Sequence, residues 1–157
     1  MKHLVFSFLV VLAFSISGVA QAKPEWITNV ENTIKTKEKR WKLSNILGSG
    51  TPDQYSESFR LTARGVTGSV SIQAYTILRN PIETFEGFVI VTDNTLGRRS
   101  RKVSLPNFGD EAFIWEPGGG ASHTIVQFRK GKTFVNVYMP GKETALRIAR
   151  HVLEHVP

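Results

Sequence analysis

The chain has no cysteine. That removes disulfides, thiolate nucleophiles and thiolate metal sites together, and with them the anchoring residue of a lipid-modified lipoprotein. Beyond one stretch at the start, no segment is long and apolar enough to span a bilayer. Acidic residues are scarce against basic ones, 13 Asp and Glu to 20 Lys and Arg, for a formal charge of +7. No Gly-rich loop is followed by a Lys-Ser or Lys-Thr pair, so Pro117-Gly118-Gly119-Gly120 lacks the makings of a phosphate cradle and reads as a mobile connection.

What is present begins with a leader. Lys2 and His3 precede an apolar run from Leu4 to Ile16, and Ala20-Gln21-Ala22 is a small-x-small cleavage signal. The expectation is a signal peptide over 1–22, cut before Lys23, and a mature single domain over 23–157 in the periplasm or outside the cell. An uncleaved anchor would need about 20 apolar residues without such a site.

The rest of the chain alternates between helical and extended periods. Trp26, Ile27, Val30 and Ile34 recur on one helical face after Pro24, followed by the basic run Lys35, Lys37, Lys39, Arg40 and Lys42, read as a solvated face. Arg40 to Leu47 reads as a strand and Gly48 to Asp53 as a flexible turn. Phe59, Leu61 and Ala63 alternate with polar residues, as do Val70, Ile72 and Ala74. Asn80-Pro81-Ile82-Glu83 has the cap, the proline and the acid of a helix start, predicting a helix over 81–91.

Leu96 to Lys102 reads as a polar loop, and Val103 to Trp115 as extended chain interrupted at Pro106 to Gly109. Ser122 to Met139 is a hairpin hinged on Lys130-Gly131. Its alternation puts Val126, Phe128, Val135, Val137 and Met139 on one face and Gln127, Arg129, Lys132, Asn136 and Tyr138 on the other. Ala145, Ile148, Ala149 and Val152 mark a closing helix over 142–155. The order α-β-β-β-α-β-β-β-α predicts an α+β domain, one antiparallel sheet of five to six strands with helices packed on it.

Gly109-Asp110-Glu111-Ala112-Phe113-Ile114-Trp115, then Phe128-Arg129-Lys130-Gly131, then Ala145-Leu146-Arg147-Ile148-Ala149 together resemble small exported bacterial domains of uncharacterised function. In these a GDEA strand precedes an FRKGN-like hairpin and a final helix. More distantly the chain is similar to PsbP-like domains and to extracytoplasmic sensor-like domains of mycobacterial kinases and lipoproteins. The likeness spans most of residues 25–156. Lys132 stands where an asparagine is common, and the resemblance implies a fold but no activity.

Five constellations could carry chemistry. Asp110 and Glu111 are adjacent carboxylates, but neighbours on a strand point to opposite faces, so a turn or bulge is the simpler reading. His151 and His155 are spaced i, i+4, which can place two imidazoles around a metal if His123 approaches; exposed histidines beside Glu154 are the simpler reading. Ser122, His123 and Asp110 supply the letters of a hydrolase triad without a nucleophile elbow. Arg98, Arg99, Arg101 and Lys102 form a dense cationic cluster suited to an anionic envelope component or a polyanion, but with no interleaved aromatics for nucleic acid. Lastly, helices on the Val126/Val135 side leave the opposite sheet face to water or a partner, and that face carries Arg60, Gln73, Tyr75, Gln127 and Tyr138. The expectation is a non-enzymatic binding or accessory domain without a cofactor. The alternative is a small hydrolase or metal-dependent enzyme using His123, His151 and His155, or Asp110.

Overall fold

The structure, a computed structural model, describes residues 22–97, 100–118 and 122–157. The expected leader over 1–22 thus lies outside the described residues, apart from Ala22. Helix α1 (Glu25–Lys37) is followed by β1 (Lys42–Thr51), β2 (Gln54–Ala63), β3 (Val66–Tyr75), α2 (Pro81–Leu96), β4 (Ser100–Ser104), β5 (Glu111–Pro117), β6 (His123–Lys130), β7 (Thr133–Pro140) and α3 (Lys142–Leu153). The strands form one sheet in the order β1-β2-β3-β7-β6-β5-β4, antiparallel throughout. It is an α+β domain, with seven strands rather than five or six. The extra strand arises where Pro106 to Gly109 makes a full turn and divides the 103–115 stretch into β4 and β5.

Two meanders make up the sheet, β1-β2-β3 and β4-β5-β6-β7, and they join through β3 and β7. Alternation does the rest. Phe59, Leu61, Val70, Ile72, Ala112, Ile114, Val126, Phe128, Val135, Val137 and Met139 all bury towards α1 and α3. Ile27, Val30 and Ile34 of α1 and Ala145, Ile148, Ala149 and Val152 of α3 meet them, which matches the helical faces read from the sequence.

The hairpin turns on Gly131 and Lys132, with Lys130 paired to Thr133, one residue later than expected. Gly131 has φ +56°, while Lys132 has no positive φ, the pattern of a turn whose first central residue is glycine. A hinge at Lys130-Gly131 would set Val126 opposite Val135 and Phe128 opposite Thr133; instead Val126 faces Val137 and Phe128 faces Val135. The offset moves each pairing by two residues, so every side chain stays on its expected face.

Strand β1 differs more. It continues through Gly48-Ser49-Gly50-Thr51, read from sequence as a flexible turn, and only Pro52 and Asp53 reverse the chain. The glycine at 48 provides room: a Cβ there would sit 2.9 Å from Glu57 Oε2. Glu57 is buried, accepting from Asn45 Nδ2 (3.0 Å) and the Tyr55 hydroxyl (2.7 Å). Between Asn45 and Leu47 the register slips by one, a β-bulge that leaves Ile46 and Leu47 50% and 57% exposed on the sheet edge.

The largest departure concerns the second face. Helices α1 and α3 cover the Val126/Val135 side as expected, but α2 lies across the opposite side, so that face is only partly open. Its Phe85 and Val89 bury against Trp115 and Phe134, with Tyr75, Leu78, Phe88, Phe113 and Ile125 around them.

Phe128 is fully buried and packs edge-on against Phe108, ring centroids 5.4 Å apart. Phe128→Ala is expected to lower unfolding free energy by about 3–5 kcal/mol. Lys132→Ala, exposed in the turn, is expected to change it by less than about 0.5 kcal/mol. Denaturant titration of both variants checks the contrast.

Candidate functional site

The sequence starts α2 cleanly. Glu83 N donates to Asn80 Oδ1 (3.2 Å) and Asn80 Nδ2 donates to Glu83 Oε2 (2.9 Å), with Pro81 at the first helical position. The helix runs on to Leu96, past the expected end at Val91. Asp93 accounts for the added turn. One of its oxygens accepts from the Trp115 indole N–H (2.7 Å) and the other from Lys102 Nζ (2.6 Å), tying the helix end to β5 and β4. Burial pushes the Asp93 carboxyl up, but the bonds from Lys102 and Trp115 more than offset it and hold the group below the ordinary aspartate range.

Nearer its start, α2 rests on rings: Phe85 and Phe88 lie 5.8 and 5.6 Å from Phe134 of β7. Beside these rings is a half-open pocket of about 250 Å³, lined by Ser71, Gln73, Phe85, Phe88, Gln127, Phe134, Val135 and Asn136. The register explains this lining. Ser71 pairs with Asn136, Asn136 with Gln127, and Gln73 with Phe134, so residues from three strands form one floor. Aromatic rings make one wall, primary amides make the floor, and no charged side chain lines the space.

Proton bookkeeping fixes how the floor is presented. The Thr92 hydroxyl donates to the Phe88 carbonyl one turn back (3.1 Å), so its oxygen is free to accept. Gln127 Nε2 donates to that oxygen (2.8 Å), which turns Gln127 Oε1 the other way. Gln127 is only 6% exposed, and its Oε1 is buried without a partner. Asn136 Oδ1 is in the same condition. Ser58 donates to the Ser71 hydroxyl (3.2 Å) and Tyr75 to Gln73 Oε1 (3.1 Å), leaving the Ser71 O–H and Gln73 Nε2 as donors.

The residues expected on an open face are therefore divided. Gln73 and Gln127 line the pocket; Tyr75 packs on Phe134 at 5.4 Å, and burial raises its hydroxyl pKa. Arg60 and Tyr138 instead border a shallow groove near Ile46 and His123, whose ring stacks on Tyr138 at 4.3 Å. Ser71, Phe85, Phe88, Phe134 and Asn136 were not singled out by the sequence as pocket residues. A signal for them exists: Phe113, Trp115, Ile125 and Phe134 sit at positions that alternation assigns to the wet face. Strands apolar on both faces are covered on both.

The described half of the basic cluster, Arg101 and Lys102, is strand rather than loop. Strand β4 begins at Ser100, Arg101 stands in register with Glu116, and Lys102 is held by Asp93 with its ammonium 4.9 Å from the Phe113 ring centre. Arg98 and Arg99 lie outside the described residues.

The histidines do not converge. His123 Nε2 bonds the Thr67 carbonyl oxygen (2.8 Å), and His155 Nε2 bonds Thr33 Oγ1 (2.8 Å). His151 is buried rather than exposed, 3.4 Å from Glu38. Among the described residues no three His, Asp or Glu side chains are grouped to hold a metal. Asp110 accepts from Arg129 Nη1 (2.8 Å) and Gly131 N (2.7 Å), bracing the hairpin turn as the simpler reading expects. It stands at the opposite end of β6 from Ser122 and His123, so the triad letters do not assemble.

Comparison with protein-family models, with curated proteins and with solved structures finds no match to this chain.

Asp93→Ala strands the Trp115 indole and Lys102 together and is expected to cost about 1–3 kcal/mol. Faster amide exchange in α2 than in α1 and α3 is the signature. Acid should act in the same direction. A carboxyl held below its ordinary value contributes stability above that value, and the contribution is lost as pH falls through and below the ordinary aspartate value of 3.8. Lys102→Ser should lower thermal stability measurably while Arg101→Ser leaves it nearly unchanged, because Lys102 has both the carboxylate and the rings as partners.

Proposed function

We propose that the chain is an exported, non-enzymatic binding domain that takes a small molecule between α2 and the sheet. The observation that carries this is the half-open pocket of about 250 Å³, walled by the rings of Phe85, Phe88 and Phe134 and floored by Ser71, Gln73, Gln127 and Asn136, with no charged side chain in its lining. Apolar walls with a few convergent polar groups are the usual composition of a ligand site.

The enzyme alternative finds less support. His123, His151, His155 and Asp110 each serve a separate local contact, with no shared point at which a substrate bond could be attacked. Contact with an anionic envelope component stays within the proposal as a weak, long-range attraction from the formal charge of +6 that remains once Lys2 leaves with the leader. Of the cationic cluster, Lys102 is paired with Asp93, which leaves Arg98, Arg99 and Arg101 as the proposed source of that attraction.

Export follows from residues 1–22. Protein recovered outside the cytoplasm is expected to begin at Lys23; recovery with Met1 intact would contradict a cleaved leader. For binding, isotope-labelled mature protein is mixed with a small-molecule extract of the envelope. Side-chain amide resonances of Gln73, Gln127 and Asn136 are expected to shift. Shifts confined to other residues would overturn the pocket as the site.

A further inference from the structure

The basic run from Lys35 to Lys42, which the sequence alone reads as a solvated face, is gathered by the fold into one place. Helix α1 stops at Lys37, Glu38 caps it, and Lys39 and Arg40 turn the chain towards β1. Helix α3 brings Arg147 and His151 to the same spot. An open depression of about 630 Å³ results, in which Lys37, Lys39, Arg40 and Arg147 stand against a single carboxylate, Glu38. It lies on the α1 and α3 side of the sheet, away from the α2 pocket, and is independent of the reading given to that pocket. We propose that this depression binds a doubly charged oxyanion, a phosphate monoester carried by a lipid headgroup or by a soluble molecule.

The count of charges sets the valence. Arg147 is taken up by Glu38, through Nε at 2.5 Å and Nη2 at 3.2 Å, and Lys37 by Glu154 at 3.1 Å. Among the described residues no carboxylate lies within ion-pair distance of Lys39 or Arg40; Arg40 donates to the Thr144 hydroxyl instead (3.1 Å). Two positive charges are therefore left over, side by side. The end of α1 opposes an anion with roughly half a negative charge, which the two cations outweigh.

The donors set the shape. Glu38 occupies Nε and Nη2 of Arg147, and Thr144 takes Nη2 of Arg40. That leaves Nη1 of both guanidinium groups and the Lys39 ammonium to donate. Guanidinium N–H groups match the oxygens of a phosphate, and a phosphate ester presents three of them. A carboxylate has one charge and fewer oxygens to offer.

The seat is also fixed in advance. Arg147 is held by a buried carboxylate, and the Arg40 guanidinium lies 5.8 Å from the Trp41 ring centre. Side chains already held lose less freedom when an anion arrives. A row of lysines along one helix would have no such supports.

Glycerol phosphate, acetate and vesicles containing phosphatidic acid are titrated into isotope-labelled mature chain at low salt. The pH is about 8, where a phosphate ester carries both charges. Glycerol phosphate is expected to shift the backbone amides of residues 36–40 and the side-chain N–H signals of Arg40 and Arg147. Its affinity is expected to be about tenfold above that of acetate, and to fall in about 0.5 M salt because the site is open to solvent. Lys39→Gln combined with Arg40→Gln is expected to lower that affinity about tenfold or more. Both residues are exposed, so the melting temperature should be nearly unchanged. Serine at positions 98, 99 and 101 is expected to leave the affinity unaltered. Vesicles that displace glycerol phosphate assign the group to a lipid headgroup, and vesicles that do not assign it to a soluble ester; both results keep the phosphate class. Acetate binding as tightly as glycerol phosphate, full affinity in the Lys39 and Arg40 variant, or shifts confined to other residues overturns the proposal.

Discussion

The pairing of β3 with β7 is the constraint on which the rest depends. It joins residues 69–74 to residues 133–138, segments separated by more than a third of the chain, and it is the sole strand pairing between the two meanders among the described residues. Val70, Ile72, Val135 and Val137 bury on one side of this seam, at the centre of the main core. On the other side the same seam brings Ser71 and Gln73 against Asn136 and Phe134. The pocket floor is therefore a direct product of the pairing that closes the sheet. Helix α2 is the link between the two meanders, running from the inner strand β3 to the far edge strand β4. A chain making that journey crosses a face of the sheet, and so the second face is covered.

Much of the fold was legible because local periodicity and burial agreed. The faces of α1 and α3, the cap at Asn80 and the division of the hairpin into a buried and a polar side all follow from spacing alone. The misreadings share a cause: one residue type served two physical ends. Gly48 and Gly50 were taken for flexibility, whereas Gly48 makes room for the buried Glu57. Lys102 was taken as a solvated cation because the rings and the carboxylate that receive it lie on other elements. His151 was assigned to the surface, yet it buries against Glu38, which α1 presents from its end. The pocket was half visible. Gln73 and Gln127 could be placed on the right face by alternation, but not Phe85 and Phe88, whose position depends on where α2 crosses.

Charge is distributed by the same logic. The acids are few, and several of them join elements distant in sequence. Glu38 is buried at the end of α1 and receives Arg147 of α3; burial pushes its carboxyl up, but Arg147 and the nearby His151 more than offset this and leave it below the usual range. Glu116 of β5 is met by Lys142 of α3, and Glu154 by Lys37 of α1. Lys23, the first residue after the expected cleavage site, reaches Glu31 at 2.8 Å and Glu57 at 3.7 Å. These acids hold helices to one another and to the sheet, and the surplus positive charge is left to the surface. Exposed pairs of this kind contribute little each, so the basic surplus bears on solubility and association rather than on the fold.

The bulge between Asn45 and Leu47 has a consequence for life at high concentration. A ten-residue outer strand with free backbone donors and acceptors invites another extended chain to dock in register. Here the extra residue bends the strand midway and interrupts the regular row of hydrogen-bonding groups, even though Ile46 and Leu47 make that edge sticky. The defect acts as a guard against edge-to-edge polymerisation. Without Ile46 the row of edge groups would run unbroken, the kind of edge on which a further strand can pair.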